Sequence, residues 1–225
     1  MIPIRDDNPA RRPALLTWLL IASCSLVFLW EWSLGPAVQQ AIFGYGLIPA
    51  RLLQGAALPP DIATVPALMT VFTSMFLHGG WMHLLGNMLY LWIFADNVED
   101  RLGHGRFLVF YLLCGVGAAL AQALPAPDST IPMVGASGAI SGVLGAYLVL
   151  FPQARITVVI PLGFYLHVTR LPALAVLGLW FAMQLISEML SGGAGSGVAF
   201  RAHIGGFIAG LLLVLAFLPR HRGES

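Results

Sequence analysis

Six stretches of this chain are mostly apolar, and each is close to the roughly 20 residues a helix needs to cross a bilayer. They cover residues 14–34, 71–95, 107–124, 134–151, 171–190 and 198–218. Inside lipid, every backbone N–H and C=O must find a partner within the protein, so such segments are restricted to helices or closed barrels. Composition points the same way: 58% of residues are hydrophobic and 9% are charged, against about 25% charged in a soluble domain. The expected fold class is an all-α membrane protein, a bundle of six transmembrane helices. The first stretch follows MIPIRDDNPARRP, is long enough to span, and lacks a convincing A-x-A cleavage site, so it reads as a helix rather than a signal peptide. The expected organisation is a cytoplasmic segment at 1–13, one six-helix domain at 14–218, and a cytoplasmic tail at 219–225.

Arginine placement sets the expected orientation. With the N-terminus inside, nine of the eleven basic residues fall on the cytoplasmic side, and only Arg51 and Arg201 fall outside. Both termini are therefore expected in the cytoplasm. Residues 35–70 form a long, rather apolar external connection, the kind of segment that lies in the membrane interface. Ser191 to Gly197 reads SGGAGSG, a short flexible external loop. The net charge is +1 with no basic cluster, which argues against a nucleic-acid partner. Cys24 and Cys114 both lie in apolar runs and read as packing thiols rather than a disulfide.

Polar groups in the apolar segments are the candidate functional residues, because each is expensive there. His83 and Asn87 lie in the second segment, Ser137 and Ser141 in the fourth, and His203 in the sixth. Gln184 and Glu188 lie near the outer end of the fifth, and Glu31 near the outer end of the first, where it can reach the interface. The second, fourth and sixth segments all begin outside, so at 1.5 Å per residue Ser137, His203, His83 and Asn87 share a depth of roughly 5–20 Å below the outer surface. His83 and Asn87 are spaced i, i+4 and face one way. His203, Gly206 and Gly210 are spaced i, i+3, i+7, and GASGAISG at residues 135–142 gives the fourth helix small-residue faces of its own. Glycine stripes let two helix backbones approach closely. Contact along those stripes brings the Ser137 hydroxyl to the His203 imidazole, the pairing that turns a weak nucleophile into a reactive one. Asn87, a His83 ring N–H and the Ser137 backbone N–H are available as donors for an oxyanion.

Other readings compete residue by residue. Ser137 alone suits a helix N-cap, Ser141 suits packing, and His83 with Asn87 suits a structural hydrogen-bonded pair. His78 reads as interface chemistry, and His104 and His167 as solvated loop residues. A zinc site at His78, His83 and His203 lacks any H-E-x-x-H motif and any matching carboxylate. The soluble-hydrolase elbow G-x-S-x-G is absent at Ser137, which reads G-A-S-G-A. A small transporter would show inverted repeats or broken helices, and no internal symmetry is visible.

Taken together, GASG at 135–138, HLLGN at 83–87 and AHIGGFIAG at 202–210 resemble the rhomboid intramembrane serine proteases, and Glu99 and Gly103 of VEDRLG are similar to that family's E-x-x-x-G loop. The resemblance runs in order from the second segment to the sixth. It implies a six-helix rhomboid-like bundle, with Ser137 as nucleophile, His203 as general base, and His83 and Asn87 binding the oxyanion. It implies no cofactor and no metal. It also implies single-spanning membrane proteins as substrates, the fifth helix as a lateral gate, and SGGAGSG as part of a cap loop. Some members carry an aromatic four residues after the nucleophile, stacked on the histidine; Ser141 stands there in this chain, so that stacking is lost or supplied from elsewhere. A relative that only binds transmembrane helices would be expected to lack Ser137 or His203. The compact six-helix form suggests a bacterial inner membrane.

Overall fold

The computed structural model describes residues 1–191 and 199–219. Strand β1 (Ile2–Asp6) leads into α1 (Leu15–Ser33). The short helices α2 (Val38–Tyr45), α3 (Pro49–Gln54) and α4 (Thr70–Thr73) follow. Next come α5 (Trp81–Leu102), α6 (His104–Ala123) and α7 (Ser137–Leu150). A hairpin of β2 (Arg155–Leu162) and β3 (Tyr165–Pro172) precedes α8 (Ala173–Ser191) and α9 (Phe200–Phe217).

The bundle is built around α7. Every residue from Gly138 to Tyr147 is buried, with α5, α6 and α9 packed around it. A helix enclosed on all sides is free to be apolar all round. Phe94, Phe107, Phe110, Tyr111 and Tyr147 fill the largest fully buried positions. Cys24 and Cys114 are free, buried thiols.

Among the described residues, α1, α6, α8 and α9 are long and apolar enough to cross a membrane. Helix α7 is apolar but has only 14 residues. Helix α5 has 22 residues but carries His83, Asn87, Asp96 and Asn97 along its length. The expectation of six spans is thus met on length and composition by four helices.

Three further differences from the sequence reading have physical causes. The expected second span, 71–95, is not one helix: α4 stops at Thr73 and α5 starts at Trp81, with the pair Gly79-Gly80 in the break. Glu31 does not reach an interface. It is 1% exposed, and its carboxylate accepts the His78 backbone N–H at 3.0 Å, so it pins that break. The all-α expectation misses a three-stranded antiparallel sheet in the order β1-β2-β3. The segment 1–13, expected as a cytoplasmic N-terminal stretch, contributes one of its strands. The connection 35–70 includes the short helices α2 and α3, with Arg51 donating to the carbonyls of Gly44 and Val65 and Leu47 bonded to Met133 in both directions. Of the SGGAGSG loop, residues 192–197 lie outside the described residues, as does the tail beyond Pro219.

The VEDRLG stretch has a structural reason. Helix α1 has no side-chain cap of its own, and its first-turn N–H groups lack intrahelical acceptors. Glu99, 1% exposed, reaches across from α5 to accept the N–H groups of Leu16 (2.9 Å) and Thr17 (2.8 Å) and the Thr17 hydroxyl (2.6 Å). His104 Nδ1 lies 2.6 Å from the same carboxylate, so His104 is paired rather than solvated. Gly103 makes the turn between α5 and α6 at φ +79°, where a side chain would be strained. Glu99→Ala strands several buried donors, and its expected cost is about 3 kcal/mol. His104→Ala removes one half-exposed partner and should cost less than about 1 kcal/mol. Thermal unfolding of both variants in detergent checks the order.

Candidate active site

The site begins at Gly135. Its N–H donates to the Ser74 carbonyl at 2.8 Å, and its φ of +123° is a conformation that favours glycine. This turn feeds Ser137 into the first helical position of α7, while the N-cap position is Ala136. The Ser137 side chain makes no capping bond. Its Oγ lies 2.8 Å from His203 Nε2.

His203 comes from the first turn of α9. Its ridge continues through Gly206 and Gly210, which meet the carbonyls of Gly138 and Gly142 so closely that a Cβ on either would overlap the oxygen. The absence of side chains at this crossing allows α7 and α9 to approach within hydrogen-bonding range of their flanking residues.

The other ring nitrogen, His203 Nδ1, lies 2.7 Å from Gln184 Oε1 of α8. An amide oxygen only accepts. The proton therefore sits on Nδ1, and Nε2 keeps a lone pair for the Ser137 hydroxyl. Sequence reading placed Gln184 on α8 without a role. The ring is also flanked by Trp180, at 6.0 Å between centroids and 37° between planes, and by Phe200 at 6.5 Å. The aromatic neighbour absent at position 141 is thus provided by α8 and α9. Ser141 itself donates to the Ser137 carbonyl at 2.6 Å, a common helix back-bond.

His83 and Asn87 of α5 stand across the site from the pair. The Gly79 N–H donates to His83 Nδ1 at 3.2 Å, which leaves the His83 proton on Nε2. A Cβ at Gly135 would stand 2.7 Å from His83 Nε2 and 3.6 Å from Ser137 Oγ. The glycine therefore keeps open a space touched by both groups. Asn87 is 8% exposed, and its buried side-chain N–H₂ has no hydrogen-bond partner among the described residues. All four residues line one open cavity of about 730 Å³, which also reaches Ser141 and Trp180. Arg201 Nε pairs with Glu188 Oε1 at 2.5 Å at its wall, which ties α8 to α9 beside His203. His78 is buried, with its ring 5.2 Å from His83. No group of three or more potential metal ligands occurs among the described residues.

Comparison with known proteins identifies the family. The model of the rhomboid domain matches residues 66–220. Rhomboid protease GluP of Bacillus subtilis is 34% identical over 151 residues, 67% of this chain and 26% of that protein. Rhomboid protease AarA of Providencia stuartii is 32% identical over 158 residues, 64% of this chain and 54% of the relative. RHOMBOID-like protein 1 of Arabidopsis thaliana is 29% identical over 199 residues, 88% of this chain and 47% of the relative. The chain belongs to the rhomboid family. It spans about a quarter to a half of the length of these curated relatives.

Proposed function

We propose that this protein is an intramembrane serine endopeptidase that cuts transmembrane segments of single-spanning membrane proteins through a Ser137–His203 dyad. The observation that carries the reading is the 2.8 Å contact between Ser137 Oγ and His203 Nε2, in a cavity opening between helices. The two groups come from different helices, and a direct hydrogen bond between them is the arrangement that activates a hydroxyl.

In the proposed reaction, Ser137 Oγ attacks the scissile carbonyl as Nε2 takes its proton. The Nδ1–H to Gln184 bond holds the ring in place, both as the neutral imidazole that accepts the proton and as the imidazolium that results. Negative charge develops on the carbonyl oxygen in the space beside Gly135, where His83 Nε2–H, the Asn87 amide and the Ser137 backbone N–H converge as donors. His203 returns the proton to the departing amine; a water then attacks the acyl carbon as His203 Nε2 takes its proton, and that proton passes to Ser137 Oγ as the ester bond breaks. No cofactor takes part. Helix α8 is the side through which a substrate helix enters, since few of its residues are buried and its Trp180 and Gln184 stand beside His203.

In this reading α5 and α7 complete a six-span domain over residues 14–218, between N- and C-terminal segments in the cytoplasm. The dyad then opens toward the extracytoplasmic face of a bacterial inner membrane. A reporter with one transmembrane segment, reconstituted with the full chain in liposomes, tests this. The expected product ends map inside or at the border of that segment, on the extracytoplasmic side. Cuts confined to soluble flanks would contradict it.

Gln184 acts here as a positioning residue. Gln184→Ala is expected to lower kcat roughly 10-fold, the worth of about one hydrogen bond, with KM little changed. Steady-state kinetics on active-site-titrated protein separate this from a folding defect, which would reduce the active fraction and leave turnover per active site intact.

A further inference from the structure

The β2–β3 hairpin lies at the opposite end of α7 from Ser137, and its role is not part of the catalytic reading. It is closed by a two-residue turn in which Gly163 has φ +62° and Phe164 follows, the pattern of a type II′ turn. Alternate residues face one side of a sheet. On one face stand Ile156, Val158, Ile160 and Leu162 of β2, paired with Leu171, Thr169, His167 and Tyr165 of β3. Exposure rises steadily along that face. Ile156 and Val158 are 0% exposed and belong to the bundle core, and Ile160 is partly buried against it. Leu162 is 58% exposed, Tyr165 65%, and Phe164 at the turn is fully exposed.

The same face that lies against the helix ends therefore continues past the edge of the bundle. From 156 to 160 it covers about 13 Å, and Leu162 lies about 7 Å further on. In a bundle that spans a bilayer, the end of α7 from which the hairpin leaves stands at the bilayer surface. Between Arg155 and Arg170 the hairpin carries no charged residue except the titratable His167. Its outermost residues, Leu162, Phe164 and Tyr165, are of the kind that settle at the headgroup level.

We propose that the hairpin tip is a membrane-interface anchor, with Leu162, Phe164 and Tyr165 inserted into the leaflet opposite the dyad. The inference rests on the bundle spanning a bilayer and not on the catalytic assignment. It predicts a two-residue alternation that burial in a protein core or exposure to water would not produce. Leu162 and Tyr165 face lipid, while Leu166 and Val168, on the other face of the same strands, face water.

Single cysteines report this directly, because Cys24 and Cys114 are buried. Leu162→Cys, Phe164→Cys, Tyr165→Cys, Leu166→Cys and Val168→Cys, each in the full chain, are labelled with an environment-sensitive fluorophore. The proteins are then placed in phosphatidylcholine–phosphatidylglycerol vesicles. The expected result is several-fold stronger quenching by nitroxide-bearing lipid at 162, 164 and 165 than at 166 and 168, with the reverse order for aqueous iodide. Equal iodide quenching at all five positions would place the tip in water and overturn the proposal. Protection from both quenchers would also overturn it, in favour of a second copy or another protein covering the tip. Reporter cleavage by the same samples is scored separately, so failure of the anchor and failure of the protease reading are distinguishable.

Discussion

Ser137→Ala is expected to reduce cleavage of a transmembrane reporter to background, and His203→Ala to lower kcat by at least about 10³-fold. The two losses should not add in the double variant, because the hydroxyl and imidazole act as one unit. Both variants should remain folded, since neither side chain fills a large buried volume. Asn87→Ala removes a donor that is idle in the resting protein and engaged only when charge develops, so it is expected to lower kcat about 10²-fold with little change in KM. Ser141→Ala is the internal control. It loses one neutral hydrogen bond to a helix carbonyl, worth about 1 kcal/mol of stability, and should keep most of its activity. Turnover measured on active-site-titrated protein checks the whole set. An active Ser137→Ala protein would remove the basis for the dyad.

The second large effect is on stability. Gly206→Ala and Gly210→Ala each place a methyl where a backbone carbonyl oxygen of α7 already sits. A carbonyl in a helix cannot rotate away, so α7 and α9 must separate and the core between them must open. The expected cost is above roughly 3 kcal/mol per substitution, in the exceptional range for one added carbon. Gly178→Ala on α8 is the matched control: nothing stands within 4 Å of its would-be Cβ. It should be neutral or stabilising by up to about 1 kcal/mol through helix propensity. Thermal unfolding in detergent, following loss of helical signal, separates the two outcomes. Because the same crossing brings His203 to Ser137, any folded Gly210→Ala protein is also expected to have lost activity.

Much of this site is legible in the residues alone. The spacing of His203, Gly206 and Gly210 states which face of α9 meets another helix, and GASGAISG states what it meets. What is hard to read is which partner a polar group finds at long range. Glu31 looks like an interfacial residue until the chain returns 47 residues later to offer the His78 backbone N–H. Gln184 is one polar residue on an apolar helix, and only the crossing of α8 and α9 gives it His203. The sheet is a different kind of miss. Residues 155–172 hold two β-branched and aromatic runs around a glycine-led turn, a hairpin signal, but the segment sits between two apolar spans and reads as a plain connection. Likewise, hydropathy smooths over the break before α5, where Gly79-Gly80 is the local signal of interruption.

The most direct test of the central claim is covalent labelling of Ser137 by a fluorophosphonate, mapped by mass spectrometry of the intact protein reconstituted in liposomes. The account predicts one modified residue, Ser137, with labelling lost in His203→Ala and retained in Ser141→Ala. Labelling at another serine, or equal labelling of Ser137 with and without His203, would contradict it.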